Sequence, residues 1–467
     1  MQRKKSSNWN PRFVSSRILP LLIIAATVAL IYARSLRYPY FIFDDVFHIF
    51  GNPRLHPASW ANVAWFWNHS LIPVTYSVWS GLAAVFGTQS PAPYRALLIT
   101  LHAANGFLVF LCLTKLVPAI EPKGSAARTE IRVACLLGAL VFVTHPSQVE
   151  AVAWISSTKD VLSGFFAFLA LNSHLARANR AVPEELDRPA WRRDLYMLLS
   201  VLSKFSGVML LPIFAWLDHF LYARPSRLIL RDYGAVAVLA CVGYLALTKN
   251  LPNEPLVPVL SVPWRSVVAL DSLSSFLSIL LLPINCHFDY SHTPASVVRG
   301  LRQFELSAFS QIAVGIITVI IGISSRRLAR FRLLHFSLGF SILALVPSLG
   351  FIPFIHQAIS TIADRYLYLA VFGLSLMVAG AYVKVQSKPV ILALLSCGFL
   401  IYGTLSTIYC QYWQDSIVLL SYSVEKNPTA YTSHIALGSA YRASGHEQEA
   451  RHELGIAEWL RSEGQAP

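Results

Sequence analysis

The sequence predicts an all-α polytopic membrane protein, and three observations predict it. Of 467 residues, 55% are hydrophobic and 13% charged, with a mean hydropathy of +0.52, where a soluble chain carries roughly 25% charge. Apolar runs recur at lengths that suit a bilayer-crossing helix. The 38 Lys and Arg residues, which give a net charge of +14, fall in short clusters between those runs, as membrane topology requires. Charge interleaved in this way argues against a nucleic-acid partner. Six cysteines lie mostly inside apolar segments without CxxC spacing, so neither a zinc site nor a disulfide framework is indicated. Cys286 and Cys410 lie near predicted outer ends.

The elements follow in order. Arg3, Lys4, Lys5, Arg12 and Arg17 precede an apolar run, Ile18 to Ala33. It reads as an uncleaved anchor, because no clear small-residue cleavage site follows; a signal peptide is the rival. The positive-inside rule puts the N-terminus in the cytoplasm. Tyr40 to His48 then carries Asp44 and Asp45 among large apolar residues. Carboxylates resist desolvation, so this pair faces water, a cavity or a partner at the far mouth of the first span. A helix N-cap or solvated turn is the alternative.

A long outer loop rich in Trp follows, with Val74 to Phe86 read as interfacial or re-entrant. Tyr94 to Val117 heads inward, and Lys123, Arg128 and Arg132 come after it. Ile131 to Thr144 goes out and Val161 to Ala176 returns, ahead of Arg177, Arg180, Arg188, Arg192 and Arg193. Leu195 to Ser203 goes out, too short for a full span unless Lys204 sits in a cavity. Gly207 to Leu221 returns, and Tyr233 to Leu247 goes out. Val267 to Leu282 reads as re-entrant or interfacial. Phe309 to Ile323, Leu333 to Phe351, Tyr366 to Val383 and Pro389 to Tyr409 alternate to the end. This is a bundle of about eleven transmembrane helices with interfacial helices in its outer loops, filling residues 1–410, with all basic linkers on one side.

Residues 411–467 are polar and helical. Leu437, Gly438 and Tyr441, then Gly445, Ala450 and Ala457, match a tetratricopeptide helix pair, in which small residues let two helices approach. Trp413 and Asn427-Pro428 resemble the second half of a preceding repeat. So short a piece is expected to pack on the membrane domain or bind a protein partner; a plain helical hairpin is the alternative.

On this topology the unusual polar residues gather at outer junctions: Asp44-Asp45, His145, Glu150, Lys159-Asp160, Lys204, Asp289-Tyr290 and Asp364-Arg365-Tyr366. Singly, each reads as a satisfied interfacial group. Together they describe a water-filled cavity with carboxylates for acid–base work and cations for an anion.

The stretch His145-Pro146 through Glu150-Ala151-Val152-Ala153-Trp154-Ile155-Ser156 to Lys159-Asp160 resembles a signature of the transmembrane and tetratricopeptide repeat O-mannosyltransferase-like family and its bacterial relatives. Phe43-Asp44-Asp45, Leu202-Ser203-Lys204, Phe288-Asp289-Tyr290-Ser291 and Ala363-Asp364-Arg365-Tyr366-Leu367-Tyr368-Leu369 resemble further motifs of that family, in the same order. The resemblance implies a GT-C fold and a glycosyltransferase that uses a polyprenyl-phosphate sugar, mannose by family, on the outer membrane face. It implies a catalytic base in the first outer loop, at Asp44 or Asp45. Phe205 departs from the acidic residue that often follows the lysine of the third motif, and the repeat segment is shorter than in relatives.

The chemistry expected is a single, inverting displacement, with an acceptor hydroxyl of a protein, glycan or lipid attacking the sugar as one aspartate takes its proton. Arg365 is the first choice for the leaving phosphate, being able to hold its oxygens bidentately, followed by Lys204 and Lys159. No metal or other cofactor is expected. The compact loops suggest a bacterial inner membrane with the C-terminal segment in the periplasm. A flippase or transporter of lipid-linked sugar, or an inactive scaffold presenting the repeat segment, are the other classes. The absence of paired Gly/Pro-broken helices in corresponding halves weighs against a transporter.

Overall fold

The computed structural model describes residues 11–121, 128–179, 190–248, 260–327 and 329–463. Lys123, Arg180, Arg188 and the N-terminal Arg3, Lys4 and Lys5 lie outside the described residues. Every described element is helical. In order they are α1 (Pro11–Tyr32), α2 (Trp60–His69), α3 (Pro73–Phe86), α4 (Ala92–Ile120), α5 (Arg128–Thr144), α6 (Gln148–Ala153), α7 (Thr158–Ala178), α8 (Trp191–Ser203), α9 (Leu210–Phe220) and α10 (Ser226–Thr248). They continue with α11 (Val262–Leu281), α12 (Pro294–Arg302), α13 (Leu306–Ser324), α14 (Arg332–Leu345), α15 (Val371–Lys384), α16 (Lys388–Tyr412), α17 (Ser416–Lys426), α18 (Tyr431–Ala443) and α19 (Glu447–Ser462).

Among the described residues six helical stretches are long and apolar enough to cross a membrane: Arg17–Arg37, Ala92–Ile120, Ile155–Ala178, Val262–Leu281, Leu306–Arg327 and Lys388–Tyr412. Shorter apolar helices, among them Val371–Lys384, complete the bundle. The two stretches Leu306–Arg327 and Lys388–Tyr412 are only 6% buried, so their Leu and Ile side chains face outward, as lipid-facing helices do.

α4, α5, α7, α14 and α15 form the centre. Apolar surface gains nothing by leaving hydrocarbon for protein, so these helices are held by close contact at small residues. A Cβ on Gly138 would lie 2.6 Å from the carbonyl oxygen of Ser375, which sets α5 against α15. A Cβ on Gly373 would collide with Ser341 and the backbone of Ser337, which sets α15 against α14. Polar groups add to this contact. Asn105 donates to the Tyr368 hydroxyl at 2.8 Å and to the Val161 carbonyl at 3.0 Å, joining α4 to α7 and to the segment before α15.

The linkers sort to two ends. Lys384 pairs with Glu121 at 2.8 Å and Lys388 with Glu130 at 2.6 Å, so the end of α4, the start of α5, and the α15–α16 junction share one end. Asn179 after α7 reaches the Lys115 carbonyl in α4 at 3.2 Å, on that same end. The acidic and aromatic junctions, including Asp44 and Asp45, collect at the other.

α11 differs from the expected short segment. It starts five residues earlier, with Pro263 in a first turn where a missing N–H costs nothing. Both its ends nevertheless touch the Asp44 end. The Leu280 carbonyl accepts from His145 Nε2 at 3.0 Å, while Arg265 and Val268 line a small cavity with Pro294, Gly350 and Gln357. α13 packs along it, the Ser275 hydroxyl 3.4 Å from Gln311.

The C-terminal helices dock on the Asp44 end. Gly438 lets α18 approach Leu454 and the Ala450 carbonyl of α19, and Gly445, at φ 81, makes the turn between them. The close approach of α18 and α19 is thus set at Gly438. Trp413 lies in the turn after α16 and not in a repeat helix. It packs with Phe41, Trp154 and Phe288 at ring distances of 5.5, 5.9 and 6.1 Å. Its aromatic neighbours come from loops far away in sequence, which a local repeat pattern does not contain.

Because Gly373 has no room for a side chain, Gly373→Val is expected to destabilise the detergent-purified protein by about 1–3 kcal/mol, read as a lowered thermal midpoint. An unchanged midpoint would show that α14 and α15 are not held at this contact.

Candidate active site

The adjacent aspartates are placed differently. Asp45 is fully buried. Its Oδ1 accepts from the Ser156 amide at 2.8 Å and the Ser156 hydroxyl at 2.6 Å, and its Oδ2 accepts from the Phe41 amide at 3.1 Å. Burial pushes its carboxyl above the ordinary range, and these hydrogen bonds pull it back. Arg95 of α4, also buried, works beside it. Its guanidinium donates to the Tyr38 carbonyl at 3.3 Å, to the Pro39 carbonyl at 2.5 Å and to the Ala153 carbonyl. Together they tie the first outer loop to the α6–α7 junction.

Asp44 faces the other way. Its side chain is 34% exposed, and its Oδ2 lies 4.0 Å from Lys159 Nζ, itself 20% exposed. His48, one helical turn further on, packs on Trp79 with Nδ1 2.8 Å from the Tyr76 hydroxyl. Burial, with Lys159 adding to it, pushes this imidazole down to about 4, so it is neutral at physiological pH.

Around this opening stand the remaining cations. Lys204, which follows the 13-residue α8, pairs with Asp160 of α7 and is 20% exposed. Its Nζ sits 4.8 Å from the Tyr366 ring. Arg365 is more deeply committed. Its guanidinium pairs with Glu150, its amide donates to the second Glu150 oxygen at 2.8 Å, and it stacks 5.1 Å from Trp154 and 4.8 Å from Tyr366. That arginine, the sequence's first choice for a phosphate, thus spends its charge on a buried carboxylate.

The other sequence candidates are brought to the same end but not to the same opening. Asp364 accepts from the Tyr290 hydroxyl at 2.6 Å, and burial with the adjacent Glu150 pushes its carboxyl well above the usual range. With Glu150, Cys286 and Tyr422 it lines a separate, small cavity of about 20 Å³ flanked by α17. Asp289 accepts from the Ser291 amide at 2.7 Å and from the Ser433 hydroxyl of α18 at 3.0 Å, so it docks the C-terminal segment. His145 is buried between Ser147 and the Leu280 carbonyl. These contacts correct the reading of one shared cavity: satisfied carboxylates and imidazoles hold loops together, while Asp44, Lys159, Lys204 and Tyr366 remain partly open.

Sequence reasoning passed over Arg95, Ser156, His48 and His356. A lone arginine at the start of an apolar helix was the available signal for Arg95. Ser156 and His48 sat inside stretches already singled out.

Fold and site together define an integral membrane protein with a polar, partly open site at one end of its helical bundle. No family model matches the chain, and no solved structure matches it. Over 341 residues it is 25% identical to a Caenorhabditis elegans protein described as a protein O-mannosyl-transferase, a match covering 67% of this chain and 44% of that protein. The chain thus spans less than half the length of the curated relative it matches.

Removing Glu150 strands a buried guanidinium. Glu150→Ala is expected to cost about 3–5 kcal/mol of stability, measured by thermal unfolding. Asp44→Asn, at a part-exposed position, is expected to leave the midpoint where it was, and a large drop there would mean that Asp44 is structural too.

Proposed function

We propose that this protein is a membrane glycosyltransferase that moves a sugar from a polyprenyl-phosphate donor to an acceptor hydroxyl. The sugar is mannose and the acceptor a protein Ser/Thr by likeness to the nematode relative. The observation that carries the reading is Asp44: a part-exposed carboxylate 4.0 Å from Lys159, next to a second part-exposed lysine, Lys204. A base beside cations is what this displacement needs.

The acceptor hydroxyl loses its proton to Asp44 as its oxygen attacks the anomeric carbon. The bond from that carbon to the phosphate oxygen breaks on the opposite face, and the electron pair leaves with the phosphate, so the anomeric configuration inverts. Lys159 and Lys204 meet the charge that develops on the phosphate. Arg365 stands behind them, adding positive potential while its own hydrogen bonds fix the loop after Ala363. Asp45 holds Asp44 in place without touching substrate. The membrane domain is read as a GT-C bundle of about eleven spans with Asp44 on the extracytoplasmic face, and α17–α19 as a tetratricopeptide-like segment on that face, available to an acceptor protein.

The test is turnover of a mannosyl-phosphoryl polyprenol by the purified chain, followed as release of polyprenyl phosphate. Asp44→Asn is expected to lower the rate by about 10²–10⁴-fold with donor binding and thermal midpoint kept. Wild-type turnover in Asp44→Asn would overturn the assignment of the base. No donor binding across several sugar lipids would overturn the transferase reading itself.

A further inference from the structure

The loop between α14 and α15 brings one more group to the opening. His356 lies in the short helical turn Ile355–Ala358, and that turn is held firmly. The buried Gln357 accepts from the Phe354 amide at 3.2 Å and reaches the Thr361 hydroxyl at 3.5 Å. The Thr361 amide donates to the His292 carbonyl at 2.8 Å, and His292 pairs with Asp271 of α11. Gly350, at φ 91, supplies the space over which Gln357 lies.

The His356 ring stands edge-on to Tyr366, 6.2 Å away at 88°. Lys204 and Arg365 face that same tyrosine ring. Yet His356 Nε2 is buried with no partner. The charged groups around it come from three other elements: Lys159 of α7, Lys204 after α8, and Arg365 of the Asp364–Leu367 turn. The carboxylates nearest those cations are Asp160, paired with Lys204 through one oxygen, Glu150, paired with Arg365, and the part-exposed Asp44, 4.0 Å from Lys159. A buried, unpartnered ring nitrogen in a braced turn is costly unless something fills the place. Surrounded by three cations, the fitting occupant is an anion.

We infer that His356 is a ligand of the donor phosphate, its Nε2 meeting a phosphate oxygen beside Lys159 and Lys204. This rests on the transferase reading above and deepens it. Burial and the three cations hold the imidazole well below its ordinary range. A phosphate offsets those cations and raises it again. Binding therefore takes up a proton wherever the pH lies between the two values, and affinity strengthens as pH falls.

The experiment is binding of farnesyl phosphate to the purified full chain at pH 6 and pH 8, with farnesol as the uncharged control. The phosphate's own titration is common to every variant and cancels in the comparison. Wild type is expected to prefer the phosphate. His356→Ala is expected to weaken its binding by about tenfold. His356→Gln keeps an N–H of similar reach and is expected to stay within about threefold of wild type. Both variants should lose the part of the pH dependence that wild type shows beyond that of the ligand. Unchanged affinity in His356→Ala would overturn the inference and leave the transferase standing. So would weakened binding in both variants with the wild-type pH dependence kept, since that marks a purely structural histidine. Failure of wild type to distinguish farnesyl phosphate from farnesol would overturn the transferase reading along with this one.

Discussion

The rest of the Asp44 end depends on one buried carboxylate. Asp45 is removed from water and satisfied by three hydrogen bonds, two from Ser156 and one from Phe41. Each of those donors would otherwise be buried unpaired, at a cost comparable to the bond itself. The carboxylate therefore fixes the position of the first outer loop against the α6–α7 junction, and Arg95 closes the same loop from below through three backbone carbonyls. Successive side chains on a helical turn point about 100° apart. Fixing Asp45 inward thus turns Asp44 outward, towards Lys159. The acid that anchors and the acid that is left available are two consequences of a single constraint.

The three cations at the opening are held in different ways, and the difference suits different tasks. Arg365 and Glu150 form a buried pair with 5% and 4% of their side chains exposed. Such a pair is strongly destabilised by losing one partner, so it stays formed. Lys159 and Lys204 are each 20% exposed, and a lysine's flexible stem lets its ammonium move between a protein carboxylate and an incoming anion. A fixed arginine with movable lysines in front of it is an arrangement that can accept a phosphate without dismantling its own support.

Much of the fold was legible because a bilayer imposes simple lengths. The runs Tyr94 to Val117, Val161 to Ala176 and Pro389 to Tyr409 fall inside α4, α7 and α16, since apolar composition over about 20 residues leaves few alternatives. The bounds of α11 were less legible than its placement. The re-entrant or interfacial reading put both its ends on the outer side, and both touch the Asp44 end. The helix nevertheless begins five residues before the expected run and is long enough to cross. The site was legible as a set of residues and not as a set of partnerships. That Arg365 would be engaged by Glu150, 215 residues earlier, or Asp289 by Ser433, 144 residues later, is fixed by tertiary packing alone. His356 has no motif around it. What distinguishes it is a buried ring nitrogen without a partner beside Lys159, Lys204 and Arg365, a juxtaposition that exists only once the chain is folded.

The C-terminal helices share this architecture more closely than their polar composition suggested. Trp413 packs on Phe41 and Trp154, the first four residues before Asp45 and the second two before Ser156. The Ser416 hydroxyl accepts from the Ile42 amide at 3.1 Å, and Asp289 holds α18 from the neighbouring loop. The loop that presents Asp44 is therefore gripped from one side by the Asp45–Ser156 contact and from the other by the start of the C-terminal segment. The Trp413 cluster and the Ser416 contact thus join the start of the C-terminal segment directly to the Asp44 loop. A segment attached in this way belongs to the support of the Asp44 loop.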